Sequence, residues 1–139
     1  MKIFTGKVTF KTAGNCEIVD ITGKTTDILK KSKIKNGILN VFIPGATGAI
    51  TTIEYEPGAV CDFKKLLQEI VKEDKDYSHN KTHDDMNASS HLRASLLGPS
   101  LSIPIDKGSM NLGKWQQIIF VDMDNRPRER KVVVKIIGE

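Results

Sequence analysis

Short runs of apolar and β-branched residues, each bounded by turn-forming residues, recur along most of this chain. Such runs are typical of strands, and the alternation of apolar and polar residues within several of them indicates one buried face. They predict strands at residues 2–12, 16–21, 37–43, 49–55, 101–105, 115–122 and 130–137. Because helices interrupt this series in only two or three places, the order favours an α+β fold with an antiparallel sheet over a doubly wound parallel one.

Helical spacing is clearest between the fourth and fifth of these predicted strands. Five apolar residues recur there on one face of a helix, namely Phe63, Leu66, Leu67, Ile70 and Val71. Residues 22–33 predict a short amphipathic helix that ends before Asn36 and Gly37, a pair that commonly stops helices. After a polar, irregular segment at 76–87, residues 88–97 resume a helical pattern. We therefore expect two or three helices packed on a sandwich-like sheet.

Length and composition are those of one globular domain. The 139 residues include 39% hydrophobic and 27% charged residues, which is ordinary for a folded protein, and we expect a single domain spanning residues 1–139. No apolar run approaches the roughly 20 residues that a membrane helix requires. The N-terminal residues alternate as in a strand and lack the pattern of a signal peptide, which favours a cytoplasmic protein.

The net charge of +4 favours anionic partners, such as phosphorylated metabolites or nucleic acid. The cationic residues are dispersed, however, and do not interleave with aromatic residues, so nucleic acid is the least favoured partner. Cys16 and Cys61 lie in different predicted elements and neither has a close cysteine partner. We expect two free thiols rather than a disulfide or a zinc knuckle.

All three histidines of the chain fall within one short stretch, at His79, His83 and His91. Imidazole serves both as an acid or base near neutral pH and as a metal ligand, so the clustering suggests a site. Asp85 and Asn87 add oxygen ligands of the kind that a divalent cation needs. Either of these two residues could instead cap the helix that begins at residue 88, and the sequence leaves both interpretations open.

Further candidates lie outside the histidine segment. Glu54 ends an apolar strand and, if buried, requires a cationic or metal partner. Arg93 and Ser100 flank a Gly-Pro turn and could donate hydrogen bonds to a phosphate. Arg128 belongs to a basic stretch, 126–130, that could bind an anion or form salt bridges at the surface.

The longest distinctive segment of the chain, HLRASLLGPSLSIPIDKGSMNLGKWQQIIFVDMD, runs from residue 91 to 124. It is preceded by HDDMN and AITTIEYEPG and followed by RPRERKVVVKIIGE. In these segments the chain resembles the YjbQ family, a few members of which are credited with a secondary thiamine-phosphate synthase activity. The resemblance covers nearly the whole chain and implies a compact α+β fold, a homotrimer, and clefts near the subunit boundaries.

The resemblance also implies a set of site residues and a reaction. The matching polar positions are Glu54, His79, Asp85, Asn87, His91, Arg93, Ser100 and Gln116. The reaction would join a pyrimidine diphosphate to a thiazole phosphate and release pyrophosphate, usually with Mg²⁺.

The roles expected on this basis divide the residues into three groups. His91 and Arg93 are expected to be catalytic. Substrate-binding roles are expected for Asn87, Ser100, Gln116 and Arg128, and ligation of a Mg²⁺ or Zn²⁺ ion for Glu54, His79, Asp85 and His91. The alternative is a non-catalytic homotrimer that binds a metabolite or a metal.

Two positions depart from the family pattern. Many relatives carry His-Thr-Thr or His-Thr-Ser where this chain has Gly45, Ala46 and Thr47, so one candidate metal ligand is missing. The usual Gly-Thr-Trp-Gln turn has Lys114 in place of threonine, which adds a cation. A metal site in this chain is therefore expected to be weaker, differently built or absent.

Overall fold

The computed structural model describes residues 1–139 and contains eight strands and four helices. In chain order these are β1 (Lys2–Thr12), β2 (Glu17–Asp20), α1 (Thr22–Ser32), β3 (Gly37–Phe42), β4 (Gly48–Glu54), α2 (Pro57–Ile70), α3 (Ser78–Thr82), α4 (Ala88–Leu97), β5 (Ser100–Asp106), β6 (Ser109–Met110), β7 (Gln116–Asp122) and β8 (Arg128–Gly138). The α+β class is confirmed. The polar segment 76–87, expected to be a loop, contains the short helix α3.

Two antiparallel sheets form the body of the molecule. One has five strands in the order β1-β8-β3-β5-β6, and the other has three in the order β2-β7-β4. Sixteen buried residues, nearly all aliphatic, form the core that they share with α1. Phe120 of β7 lies within this core, and a Cβ atom on Gly48 of β4 would approach its ring to 2.7 Å. Glycine at position 48 therefore lets the start of β4 pack against the aromatic ring.

Helices α2 and α4 add a third layer. They cover the face of the three-stranded sheet that points away from the five-stranded one, where Ile119 and Val121 of β7 contact Leu67 of α2 and Ala94 of α4 in a second apolar cluster. Each fully buried aliphatic side chain contributes about 1.5–3 kcal/mol. None of the helices is long and apolar enough to cross a membrane.

The start of α2 explains one of the conspicuous acidic residues. Glu56 is its N-cap, and the carboxylate accepts hydrogen bonds from the backbone N–H groups of Gly58 and Ala59 at 2.7 and 2.8 Å. These bonds lower the pKa of Glu56. Pro57 occupies the first helical position, where a missing N–H costs nothing. Glu56 is thus engaged in holding the helix end.

A buried ion pair joins the two sheets. Arg130 of β8 donates to both carboxylate oxygens of Asp122 of β7, at 2.8 and 2.7 Å, and both side chains are almost completely buried. Thr12 of β1 also donates to Asp122. Burial alone would raise the pKa of Asp122, but the hydrogen bonds from Arg130 and Thr12 outweigh it and hold the pKa below its usual value.

We expect Asp122→Asn to lower the free energy of unfolding at pH 7 by about 3–5 kcal/mol, because it leaves the Arg130 charge buried without a counterion. The pKa of Asp122 is lower in the folded than in the unfolded chain, so its contribution is present above the ordinary aspartate pKa and is lost as the pH falls toward the folded value. Urea unfolding at a series of pH values below about 5 should give a flatter pH dependence for the variant.

The exposed Asp27 of α1 supplies the matched control for this experiment. Asp27→Asn removes the same charge without touching the ion pair. It should change neither the free energy of unfolding at pH 7 nor its pH dependence appreciably. Equal effects of the two substitutions would show that the buried pair contributes no special stability.

Candidate functional site

Helices α3 and α4 bring the three histidines of the chain together. The rings of His79 and His83 stack with centroids 4.7 Å apart, and His91 meets His79 edge-on at 4.9 Å. His79 and His91 are half-buried, whereas His83 is exposed. The imidazoles therefore form one cluster, as their clustering in the sequence suggested, with His83 at its outer edge.

Hydrogen bonds hold the two inner rings in defined orientations. Nδ1 of His91 lies 3.0 Å from the carbonyl oxygen of Ala46. Since a carbonyl oxygen only accepts, Nδ1 carries the hydrogen and Nε2 is the basic nitrogen of the neutral ring. Nε2 of His79 donates to Oδ1 of Asn87 at 3.2 Å, which leaves the lone pair on Nδ1 of His79. The two rings thus present a basic nitrogen each.

Asn87 supports His79 instead of capping the helix that it precedes. It is the N-cap residue of α4, yet its side chain makes no capping hydrogen bond. The backbone N–H of Ala88, at the first helical position, instead donates to Oδ1 of Asn80 at 3.1 Å. The sequence offered capping and site roles for Asn87 as alternatives, and in the structure its side chain contacts the imidazole cluster.

A cleft of about 380 Å³ opens beside these rings. It is lined by Tyr77, Ser78, His79, Ala88, His91 and Leu92, and we call it the imidazole cleft. Ala88 is the first residue of α4, so the N-terminal end of a ten-residue helix adjoins the cleft. The partial positive charge at such an end favours anions. The cleft is therefore lined by two imidazole side chains and adjoins a backbone environment suited to an anionic group.

A second recess lies on the other side of His91. It has a volume of about 180 Å³ and is lined mainly by the loop before β4, including Gly45 and Ala46, and by α4. Gly45 has a φ of +120°, and the only atom near a Cβ built on it is Nη1 of Arg130, at 3.9 Å. There is room for a side chain at position 45, but the backbone conformation is one that only glycine adopts readily.

Arg93 lies on the opposite side of α4 from His91, because two residues correspond to about 200° around a helix. Its side chain is buried, and Nε and Nη2 donate to the carbonyl oxygen of Val71 at 3.0 and 2.6 Å. Nη1 donates to Glu73 at 3.1 Å and contacts the sulfur of Cys16 at 3.6 Å. The guanidinium thus joins the end of α2 to α4, and its partners differ from those expected of a phosphate-binding residue.

Glu54 and Gln116 lie at the far end of β4 from the histidines. Six residue steps along the strand separate Glu54 from Gly48, a distance of about 20 Å. Glu54 borders a separate cleft of about 480 Å³ that is also lined by Tyr55 and Trp115. Gln116 donates to Oγ1 of Thr52 at 3.1 Å. Within one chain, these residues do not meet the imidazole cleft.

The remaining expected site residues have partners of their own. Ser100 accepts a hydrogen bond from Asn40 at 2.8 Å on the outer face of the five-stranded sheet. Arg128 pairs with the buried Asp124 at 2.9 Å. Asp85 is exposed on the turn before α4. Of the residues expected to act together, the structure therefore gathers His79, Asn87 and His91.

The donors in a single chain do not complete a metal site. No three side chains of His, Cys, Asp or Glu are grouped so as to ligate one ion. Mg²⁺ prefers several oxygen ligands, and Zn²⁺ takes at least three protein ligands, whereas the imidazole cleft offers two nitrogens. No chemical step in this single chain is therefore assigned to a metal.

Several contributors to the cleft carry no clear signal in the sequence. Ala46 acts through its backbone carbonyl, and a backbone role does not depend on residue type. Tyr77 is an aromatic residue in an otherwise polar segment. Its residue type is the only feature of the sequence that suggests it packs against other side chains. The packing of the loop before β4 against α4 decides the first contribution, and the packing of α3 on α4 decides the second.

We expect Arg93→Met to lower the free energy of unfolding by about 2–4 kcal/mol, because it removes charged hydrogen bonds from a buried carbonyl. Any affinity of the imidazole cleft for inorganic pyrophosphate should remain unchanged, because Arg93 lies on the opposite side of α4. Denaturant unfolding and calorimetric titration with pyrophosphate measure the two quantities. If Arg93→Met instead abolished pyrophosphate binding without changing the free energy of unfolding, Arg93 would be a binding residue.

Comparison with known proteins gives a consistent result. The family model described as UPF0047 protein YjbQ-like matches residues 6–139. A UPF0047 protein of Methanothermobacter thermautotrophicus is 41% identical over 139 residues, which cover 100% of this chain and 95% of the relative.

Two crystal structures share the fold along almost their whole length. A YbjQ-like protein of unknown function from Sulfolobus solfataricus P2 has a TM-score of 0.95 at 36% identity, and the match covers 99% of each chain. A hypothetical protein from Aeropyrum pernix K1 has a TM-score of 0.91 at 37% identity, covering 97% of this chain and 98% of that one.

Proposed function

This chain belongs to the UPF0047 family of YjbQ-like proteins, and from that premise we propose that it is an enzyme that acts on a phosphorylated small molecule at the imidazole cleft. One observation carries the proposal. His91 is held by the carbonyl of Ala46 with its basic nitrogen free, in a cleft that adjoins the N-terminal end of α4. A base fixed beside an anion-favouring helix end is suited to proton transfer on a bound phosphate ester or diphosphate.

The reaction that the family resemblance implied fits this arrangement. A carbon–nitrogen bond would form between a pyrimidine methylene group and the nitrogen of a thiazole phosphate, and the carbon–oxygen bond to the diphosphate would break. The leaving pyrophosphate gains negative charge, which an imidazolium and the helix end would stabilise. Acid–base assistance of this kind contributes about 10²- to 10⁴-fold to a rate. In this proposal His91 gives that assistance.

The site is proposed to be completed by a second copy of the chain. Glu54 and Gln116 lie at one end of β4, and the imidazole cleft adjoins the other. A head-to-tail contact would bring the two ends from neighbouring copies together, and such contacts form a ring when the rotation between copies closes. A homotrimer is the ring that the resemblance implies. Glu54 of the neighbour would then supply a carboxylate that the imidazole cleft lacks.

We expect His91→Ala to reduce turnover at least about 100-fold, because it removes the imidazolium that would donate a proton to the leaving diphosphate. The substrates to use are the thiazole phosphate and the pyrimidine diphosphate, and the measurement is release of pyrophosphate. His83→Ala is the matched control, since His83 belongs to the same cluster but is exposed. Unaltered turnover in His91→Ala would remove His91 from the mechanism.

A non-catalytic metabolite-binding protein is the second candidate. It is favoured by the structural partners of Arg93, which leave the imidazole cleft of one chain without a guanidinium donor. Pyrophosphate at a hundredfold excess over its Kd would stabilise the fold by about 2.7 kcal/mol. Such stabilisation, sensitive to His91→Ala and without turnover of the two substrates, would identify this alternative.

Mixing two inactive variants tests whether the site is shared. In a ring, co-expressed His91→Ala and Glu54→Gln subunits should restore about a quarter of the wild-type activity, because each site then has a half chance of an intact histidine and a half chance of an intact neighbouring glutamate. Rings of either variant alone supply the baseline. A monomer by light scattering, or no recovery in mixed rings, would show that the sites are not shared.

A further inference from the structure

The cleft at the far end of β4 from the histidines carries two exposed aromatic rings. It has a volume of about 480 Å³, and we call it the aromatic cleft. Its lining includes the rings of Tyr55 and Trp115 and the carboxylates of Asp20, Glu54 and Glu56. Trp115 is 64% exposed and Tyr55 is 45% exposed. Aromatic rings beside a few polar groups in a concave space of this size are typical of small-molecule sites.

Hydrogen bonds hold the segments that carry these two rings. The backbone N–H of Gln116 donates to the carbonyl oxygen of Gly113 at 3.0 Å, and the backbone N–H of Gly113 donates to Oε1 of Gln116 at 3.0 Å. This closed turn carries Trp115 directly before β7. The hydroxyl group of Tyr55 donates to the carbonyl oxygen of Ile18 at 3.2 Å. The aromatic cleft is therefore formed by segments that are already fixed in the fold.

The charge of the aromatic cleft is opposite in sign to that of the whole chain. The net charge of the chain is +4, yet no lysine or arginine lines this cleft. Asp20 accepts a hydrogen bond from the backbone N–H of Thr22 at 2.9 Å, and Glu56 accepts from those of Gly58 and Ala59. These bonds occupy N–H groups at the starts of α1 and α2 that would otherwise attract an anion. The aromatic cleft therefore favours a cation over a phosphate.

Glu54 provides a carboxylate without a cationic partner at this place. It takes part in none of the four ion pairs of the structure. The pairing of β4 with β7 sets it opposite Gln116, the residue that follows Trp115. A cation held between this carboxylate and the faces of the aromatic rings would gain both Coulombic attraction and cation–π contact.

The chain itself places an ammonium group against one of the rings. Nζ of Lys114 lies 4.9 Å from the centroid of the Trp115 ring, which is within the range of about 6 Å for a cation–π contact. Lys114 is exposed and is not among the residues that line the aromatic cleft. The ring of Trp115 is thus accessible to a cation, and the ammonium of Lys114 would compete with a cationic ligand.

We propose that the aromatic cleft binds an organic cation, specifically a positively charged heteroaromatic ring, between Glu54, Tyr55 and Trp115. This inference rests on the proposed function, in which the thiazole nitrogen uses its lone pair to form the new carbon–nitrogen bond. The electron pair of the broken carbon–oxygen bond leaves with the diphosphate, so the ring nitrogen becomes quaternary and positively charged. In the proposed ring of subunits, the imidazole cleft of a neighbour would hold the departing pyrophosphate while the aromatic cleft stabilises the cation that forms.

The test is a titration of the protein with N-methylthiazolium and with its neutral parent, thiazole. Trp115 is the only tryptophan of the chain, so its fluorescence reports directly on the aromatic cleft, and saturation of the signal distinguishes binding from collisional quenching. The cation should bind at least about fivefold more tightly than thiazole, because only the cation is attracted by the carboxylate and by the faces of the rings. Calorimetric titration measures the same affinities without fluorescence.

Single substitutions of similar size locate the bound cation. Glu54→Gln should weaken the binding of N-methylthiazolium about fivefold and leave that of thiazole unchanged, because it removes only the charge. Glu69→Gln is the matched control, since Glu69 is exposed on α2 outside the aromatic cleft, and it should change neither affinity. Lys114→Gln should instead tighten the binding of the cation severalfold, because it removes the competing ammonium. Circular dichroism checks that each variant is folded.

Equal affinities for N-methylthiazolium and thiazole would overturn the proposal, as would equal effects of Glu54→Gln and Glu69→Gln on binding of the cation. Failure of the proposed function gives a different result. Cation binding that Glu54→Gln weakens, in a protein that releases no pyrophosphate from the two substrates, would retain the cation site and refute the enzyme. Turnover that depends on His91, together with a cation affinity that Glu54→Gln leaves unchanged, would retain the enzyme and refute the cation site.

Discussion

The ion pair between Asp122 and Arg130 is the contact on which both the fold and the candidate site depend. It joins β7 of one sheet to β8 of the other in a place from which water is excluded. Two charges are costly to bury, and they remain charged there because their hydrogen bonds are complete. Arg130 also donates to Oγ1 of Thr47 at 3.0 Å, so the pair holds the loop before β4. Ala46, the neighbour of Thr47, then fixes the ring of His91.

Helix α4 shows how one short segment serves both stability and chemistry. His91 and Arg93, which are separated by one residue, point to different sides of the helix. His91 borders the imidazole cleft, whereas Arg93 ties α4 to the carbonyl of Val71 at the end of α2. A loss of function on changing Arg93 would therefore report first on the packing that supports the cleft. Polar residues that are close together in a sequence need not belong to the same site.

The strands and the main helices could be predicted from residue patterns, because alternation and helical spacing are local consequences of burying one face of an element. Helix α3 was not predicted, because its five polar residues show no apolar periodicity and are supported by packing on α4. Among the site residues, the grouping of His79 and His91 was predicted from their proximity in the sequence, and their rings are in contact in the structure. Glu54, Ser100 and Arg93 were expected beside them because of their chemistry. The chemical type of a side chain, however, does not determine its distance from other side chains in the fold.

By itself the sequence determined the α+β class, the antiparallel arrangement and the family, since these follow from local patterns and from motifs that extend over most of the chain. Tertiary structure alone decided which polar groups are neighbours. The pairing of β4 with β7 placed Gln116 opposite Glu54, and the length of β4 separated Glu54 from the histidines. Strand register and strand length act over distances that a linear pattern does not encode, because they depend on which remote segment supplies the hydrogen-bonding partner.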